Sequence, residues 1–362
     1  MKLPPYTKAV ADKLKAVFPA DDLTPDVMAS VKSNLDDLVA DRRATTLSID
    51  KKGYKNRYRV PLTDGDALFV DIYPNDPGRT EWRMVWKYTP SKLNKSDREK
   101  LRVLAKEILG TDAQRLLGNV SVTELHVAVD FEVNIADIAI EARDKSACGC
   151  WGKTIDARGR LQSQYFGSSA SDHQLTAYEK RDEVLAALAR KHRTRLSHIK
   201  AAADDLSPRM RLEDRQRLSR CPVPLHRLAD LREPFAGFHI YSYVDAEAAM
   251  ELDDETGRLV LALAKAEGLQ RVLKLLDKSA RDKVRTALAA SQVEWWDAAV
   301  YAGAVRKVIL ATGLFPKSAF DLADRLDTEV EARYQQRKQR AEQRGAKPDP
   351  LIGLDDEEDG EE

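Results

Sequence analysis

Hydrophobic and polar positions change their period along this chain, and the changes mark its elements. Tyr6–Phe18 and Thr24–Val39 repeat apolar residues every three or four positions, and Thr24-Pro25 is a helix start with proline in the first turn. Thr45–Ile49 and Arg57–Leu62 flank a Lys-Lys-Gly-Tyr-Lys turn and predict a basic hairpin. Ala67–Tyr73 and Glu81–Tyr88 predict strands on either side of Pro74-Asn75-Asp76-Pro77-Gly78, a dense turn signal. Trp82, Met84, Trp86 and Tyr88 share one face of the second strand and read as core. Ser96-Asp97-Arg98-Glu99 reads as a capping box opening a helix through Leu101, Leu104, Ile108 and Leu109 that stops at Gly110.

Val122–Glu132 alternates as a strand should. Leu125, Val127, Val129 and Phe131 face one way; Glu124, His126, Ala128, Asp130 and Glu132 face the other. A small Ala between a His and an Asp leaves room for a metal ion, and the same pattern also fits a half-polar strand of an antiparallel sheet. Asn134–Gly159 predicts a short acidic helix followed by a Cys-Gly-Cys-Trp segment. Gln162–Phe166, Gln174–Lys180 and Arg209–Arg217 are further strands, with a basic helix over Asp182–Ala203 carrying Arg190, Lys191, Arg193, Arg195 and Lys200. Arg209, Arg211, Glu213, Arg215 and Arg217 share one strand face. From about Asp245 the pattern becomes helical: Glu247–Gly268, Leu269–Asp277, Ser279–Ser291, Val293–Thr312 and Lys317–Arg344.

The length of 362 residues sets a prior of two domains or three. The formal net charge of zero hides segregation, because the last eight residues, Asp355–Glu362, carry seven acids, while residues 179–220 hold twelve Lys/Arg against seven Asp/Glu. A basic middle beside an acidic tail fits a chain that handles a polyanion; the tail alone also fits a disordered solubilising end. Three cysteines, Cys148, Cys150 and Cys221, argue against a disulfide framework and for a reducing compartment, and Cys-Gly-Cys lacks the spacing of a structural zinc site. Met-Lys-Leu-Pro-Pro has no apolar signal core, and no run approaches the roughly 20 apolar residues of a membrane span, so a cytoplasmic protein with no membrane partner is expected.

Three strands each offer a polar face, with His126 and Asp130 on one, Tyr178 and Lys180 on the next and Glu213 among arginines on the third. Carboxylates suit Mg²⁺ or Mn²⁺, and His is better tolerated by Mn²⁺. A metal on His126, Asp130 and Glu213 would act as a Lewis acid on a phosphodiester oxygen. Tyr178 would be the nucleophile, and Lys180 would meet the charge that develops on phosphorus. Arg181, Arg190, Lys191, Arg193, Arg209, Arg211 and Arg215 would hold neighbouring phosphates. Each residue also has a plain structural reading: a packing Tyr, a satisfied half-buried His, a salt-bridge ladder.

The order of these motifs resembles a known family. Trp82-Arg83-Met84-Val85-Trp86 is followed by Thr89-Pro90-Ser91-Lys92-Leu93 and, after a helix, by His126-Val127-Ala128-Val129-Asp130-Phe131. Then come Tyr165-Phe166-Gly167-Ser168, Ala177-Tyr178-Glu179-Lys180-Arg181-Asp182-Glu183 and Arg211-Leu212-Glu213. Over roughly residues 65–245 this is similar to the Rep-trans type of rolling-circle replication initiators, found in filamentous phages and plasmids. His126 stands where that family commonly has an Asp, and Glu179 where it has Asn or Asp. The resemblance implies a nicking enzyme that stays on the 5′-phosphate through tyrosine, uses a divalent metal, and acts on a double-stranded origin and single-stranded DNA with host helicase and polymerase. A second tyrosine could serve rejoining, with Tyr165, Tyr241 and Tyr243 as candidates.

The expected fold is α+β, a mainly antiparallel sheet with helices packed on one face, followed by an all-helical C-terminal domain. The expected division is a helical N-terminal region to residue 44, a catalytic domain over 45–244, a helical domain over 245–345 and a disordered acidic tail over 346–362. A non-catalytic DNA-binding replication regulator on the same fold is the alternative to the enzyme.

Overall fold

Val10–Pro19 is a strand, where the apolar spacing predicts a helix. Leu14, Ala16 and Phe18 are buried on one face, and Lys13 and Lys15 lie on the other. In so short a run the spacing of Ala11, Leu14, Val17 and Phe18 satisfies both periods, and pairing with a partner strand decides between them. In the computed structural model the described residues are 9–48, 53–62, 66–75, 82–142, 150–155, 161–167, 172–181, 184–185, 189, 195, 209–219, 221–231, 235, 238–249, 255–293, 295, 304–321 and 329–343.

The strands in chain order are β1 (Val10–Pro19), β2 (Thr45–Thr46), β3 (Tyr54–Pro61), β4 (Ala67–Pro74), β5 (Trp82–Tyr88), β6 (Ser121–Phe131), β7 (Ile138–Ala142), β8 (Cys150–Ile155), β9 (Leu161–Phe166), β10 (His173–Glu179), β11 (Met210–Arg217), β12 (Val223–Pro224) and β13 (Phe238–Ser242). The architecture is α+β, with a large, mainly antiparallel sheet and a helical C-terminal region. The chain forms two units. Unit I comprises Val10–Val127, Gln216–Glu233 and Gly303–Glu362; unit II comprises Met1–Ala9, Ala128–Arg215 and Pro234–Ala302.

In unit I the strand order is β2-β3-β4-β5-β1-β6, with β12 beside the start of β6. One face of these strands is the core: Leu14, Phe18, Tyr58, Val70, Ile72, Met84, Trp86 and Tyr88 are buried, and the Phe18 and Trp86 rings meet at 5.2 Å. Helix Pro25–Ala40 buries Met28, Val31, Leu35 and Leu38 and is capped by the Thr24 hydroxyl, which accepts from Val27 N. Tyr58 Oη on the core face of β3 donates to Asp36 of this helix at 2.8 Å. Helix Lys95–Leu109 starts before the expected Ser96: Asn94 is the cap, and Asn94 and Asp97 exchange side-chain and backbone hydrogen bonds at 3.0 Å. Asn caps as well as Ser does, so the box forms two residues earlier. The C-terminal segments return to this unit, with Arg98 Nη1 and Arg102 Nε donating to the Ala311 and Gly313 carbonyls. Helix Glu329–Gln343 is held by Glu331, which accepts from Arg227 and lies 2.7 Å from His226 Nε2.

In unit II the order is β6-β11-β10-β9-β8, and β7 pairs with β13 as a separate two-stranded sheet. The segment expected to be a short acidic helix is instead a 3-10 turn at Ile135–Asp137 leading into β7. The five residues of β7 are all buried, and burial on both faces suits a paired strand better than an acidic surface helix. Tyr241, Tyr243, Leu261, Leu269, Val272 and Leu288 form a core among the helices Tyr243–Ala249, Glu255–Glu267, Leu269–Leu275 and Lys278–Ala289. Glu141, fully buried, accepts from Arg285 at 2.8 and 2.6 Å and from Tyr241 Oη at 3.1 Å, which satisfies its charge. Among the described residues no helix is long and apolar enough to cross a membrane.

Candidate functional site

Tyr178 owes its position to a hairpin. β9 and β10 pair antiparallel with Tyr178 opposite Ser163 and Thr176 opposite Tyr165, so these four share one face. Ala177, opposite Gln164, and Leu175, opposite Phe166, fill the other face and are buried. The far end of β10 is pinned to β11: Lys180 N donates to Arg209 O at 2.7 Å. Glu179 adds to this, because its Oε1 accepts from the backbone N–H groups of Arg181 and Arg209 at 3.2 and 3.1 Å. Tyr178 is half-buried, with the Lys180 Nζ 5.6 Å from its ring centroid.

β11 places three charged side chains on alternate positions. Arg215 Nε donates to Glu213 Oε1 at 3.0 Å. Burial would push the Arg215 guanidinium down, but the Glu213 carboxylate overrides it. With the phenols of Tyr178 and Tyr165 adding to the effect, the group sits above the ordinary arginine range. Arg211 makes a buried two-point contact with Asp130, Nε to Oδ1 at 2.6 Å and Nη2 to Oδ2 at 3.0 Å. On the opposite face of β11, His173 Nε2 is paired with the fully buried Asp214.

Lys180 lies over the Tyr178 ring, Arg215 is paired with Glu213, and Arg211 with Asp130. His126 has its own partner, which the sequence reading missed: its Nε2 lies 2.9 Å from Glu124 Oε1, and Lys13 Nζ lies 2.9 Å from the same oxygen. Burial would push Glu124 up; the His126 hydrogen bond and Lys13 instead hold its carboxyl far below the usual range. The i, i+2 spacing of Glu124 and His126 on one strand face was the available signal. Arg181 and Arg209 contribute backbone N–H groups to the β10–β11 junction. Arg190, Lys191 and Arg193 lie outside the described residues. Tyr241 and Tyr243 are buried in the helical core.

Among the described residues, no three His, Cys, Asp or Glu side chains converge to hold a metal ion. The chemistry of the donors gives the reason. Both oxygens of Asp130 accept from Arg211, and Glu213 holds Arg215. A hard divalent cation needs those oxygens and would have to displace a guanidinium to reach them. The two carboxylates of the expected set are thus each engaged by a guanidinium.

No protein-family model and no curated protein matches the chain. One similar solved structure is a rolling circle replication initiator protein from Geobacillus stearothermophilus, at 16% identity over 58% of this chain and 74% of that one, with a TM-score of 0.31. At that identity and that TM-score the likeness carries no argument about the chemistry of this chain.

Proposed function

We propose that the chain is a replication initiation protein that nicks one DNA strand through Tyr178 and later rejoins it, as in rolling-circle replication of a phage or plasmid. The observation that carries the reading is the setting of Tyr178: a half-buried phenol on β10 with the Lys180 ammonium over its ring, beside a strand, β11, that carries Arg211, Glu213 and Arg215. The sequence order of the motifs around it supports the same reading.

In the proposed step the Tyr178 oxygen attacks the scissile phosphorus, the P–O3′ bond breaks, and the 3′-oxygen leaves and takes up a proton. The phenol gives its proton to solvent water, and the leaving 3′-oxygen takes one up from solvent. Charge that develops on the non-bridging oxygens is met by Arg215, which Glu213 holds in place, and by Lys180. Attack of a 3′-hydroxyl on the phosphotyrosine reverses the sequence and rejoins the strand. Asp130 on β6 holds Arg211 on β11.

The test is incubation of wild type and Tyr178→Phe with supercoiled DNA carrying the cognate origin. Wild type is expected to nick and to form a covalent protein–DNA adduct, and Tyr178→Phe to do neither. Salt-sensitive binding without any adduct by the wild type would favour the non-catalytic regulator instead.

A further inference from the structure

One face of the unit I strands is covered core; the opposite face is basic. The pairing registers sort the residues. Lys15 lies opposite Lys87, Lys87 opposite Phe69, Phe69 opposite Arg59, and Arg57 opposite Asp71. Partners across a pair share a face, and strand alternation adds Lys13, Lys55 and Arg83 to it. Lys13, Lys15, Lys55, Arg57, Arg59, Arg83 and Lys87 therefore lie on one side of β1, β3 and β5.

Among the described residues the carboxylates on this face are few and already engaged. Asp71 pairs with Arg57 at 3.1 Å and Lys87 at 3.6 Å, and Glu124 pairs with Lys13. In a chain whose 59 basic and 59 acidic residues balance, seven cations against two acids among the described residues of this face is segregation, not composition. The heads of the long side chains reach solvent: Lys55 and Arg83 are exposed, and the side chains of Lys13, Lys87 and Arg57 keep 44%, 30% and 28% of their surface. Beneath them Val17 and Val85, opposite each other on this face, are buried, as expected where basic stems lie flat over a strand.

Among the described residues the exposed large hydrophobics are Val103, Val184, Val244, Leu259, Leu263 and Leu275, and none lies on these strands. A membrane-docking surface needs such residues to insert; a phosphate backbone does not. We propose that this face binds the sugar–phosphate backbone of duplex DNA, holding the duplex without reading its sequence. The proposal rests on the reading that the chain acts on DNA, and it assigns a surface of unit I to the duplex.

The test is the triple variant Lys55→Ser/Arg59→Ser/Arg83→Ser, which leaves the Asp71 and Glu124 ion pairs in place; circular dichroism checks that it folds. Binding to a duplex of arbitrary sequence is followed by fluorescence anisotropy between about 50 and 200 mM salt. The triple variant is expected to bind on the order of tenfold more weakly, with a log–log salt slope shallower by about 0.9 for each phosphate it no longer neutralises. Tyr178→Phe is expected to bind the duplex as wild type does. Wild-type affinity and slope in the triple variant would overturn the proposal. So would weaker binding to anionic-lipid vesicles with duplex binding intact. Adduct formation on a single-stranded oligonucleotide, read in parallel, separates the two readings: a wild type that forms no adduct defeats the nicking reading and leaves the duplex result standing.

Discussion

At Asp130 a guanidinium fork occupies both carboxylate oxygens in a buried setting, and this decides what the residue can do. Removing the fork should be costly and informative together. Arg211→Met leaves a buried charge without its partner, at a cost of about 3–5 kcal/mol. The same change opens Asp130 to a cation, so added Mn²⁺ should raise the Tm of Arg211→Met well beyond any effect on wild type; equal shifts would contradict this. In the proposed step Arg215 meets the developing charge, and it also pairs with the buried Glu213. Arg215→Ala should slow adduct formation on the order of 10²–10³-fold with DNA affinity little changed, and Arg215→Lys should recover part of the rate. Quench-flow with labelled oligonucleotide separates rate from affinity. Much of this is legible in the sequence: the i, i+2 positions of Arg211, Glu213 and Arg215 put them on one strand face. What alternation cannot show is which charges pair across strands. The sequence assigns Arg211 to a phosphate; the structure places it on Asp130, because burial makes an unpaired carboxylate too expensive to leave.

At the scale of elements, local turns and helices carry the tests. Gly268 joins two helices of unit II at φ +83°, and a Cβ there would meet the Gln164 side chain at 3.3 Å. Gly268→Ala should destabilise by about 1 kcal/mol or more, from the left-handed backbone alone, read by urea denaturation. Helix Glu329–Gln343 offers a pH test. Hydrogen bonds from Arg227, above all, outweigh burial and hold the Glu331 carboxyl down to about 2, below its ordinary 4.5. A depressed carboxylate stabilises above its unfolded pKa and loses that contribution as pH falls through the folded value. Stability should therefore drop between about pH 4.5 and about 2 as Glu331 protonates, and Glu331→Gln should flatten that part of the profile. Helices with a single clear period, such as Pro25–Ala40, are legible in the sequence. Val10–Pro19 is not, because its apolar residues fit two periods and the choice is made by β5, far away in the chain.

At the scale of the molecule the two units are each assembled from three separated segments, which no linear period announces. Unit I gathers the first strand and the C-terminal helix; unit II gathers the tyrosine strand and the helices up to Ala289. Long-range bonds such as Arg102 to the Gly313 carbonyl hold such segments together and leave no trace in spacing. In the proposed function the two units take different parts, chemistry at Tyr178 in one and duplex holding on the basic strands of the other. Both parts matter only if a covalent bond forms at Tyr178. The direct measurement is mass spectrometry of the purified protein–DNA adduct after nuclease and protease digestion. The expected result is a nucleotide-bearing peptide modified at Tyr178, absent from the Tyr178→Phe protein. An adduct mapped to Tyr165 or to any other residue, or one that persists in Tyr178→Phe, would contradict it.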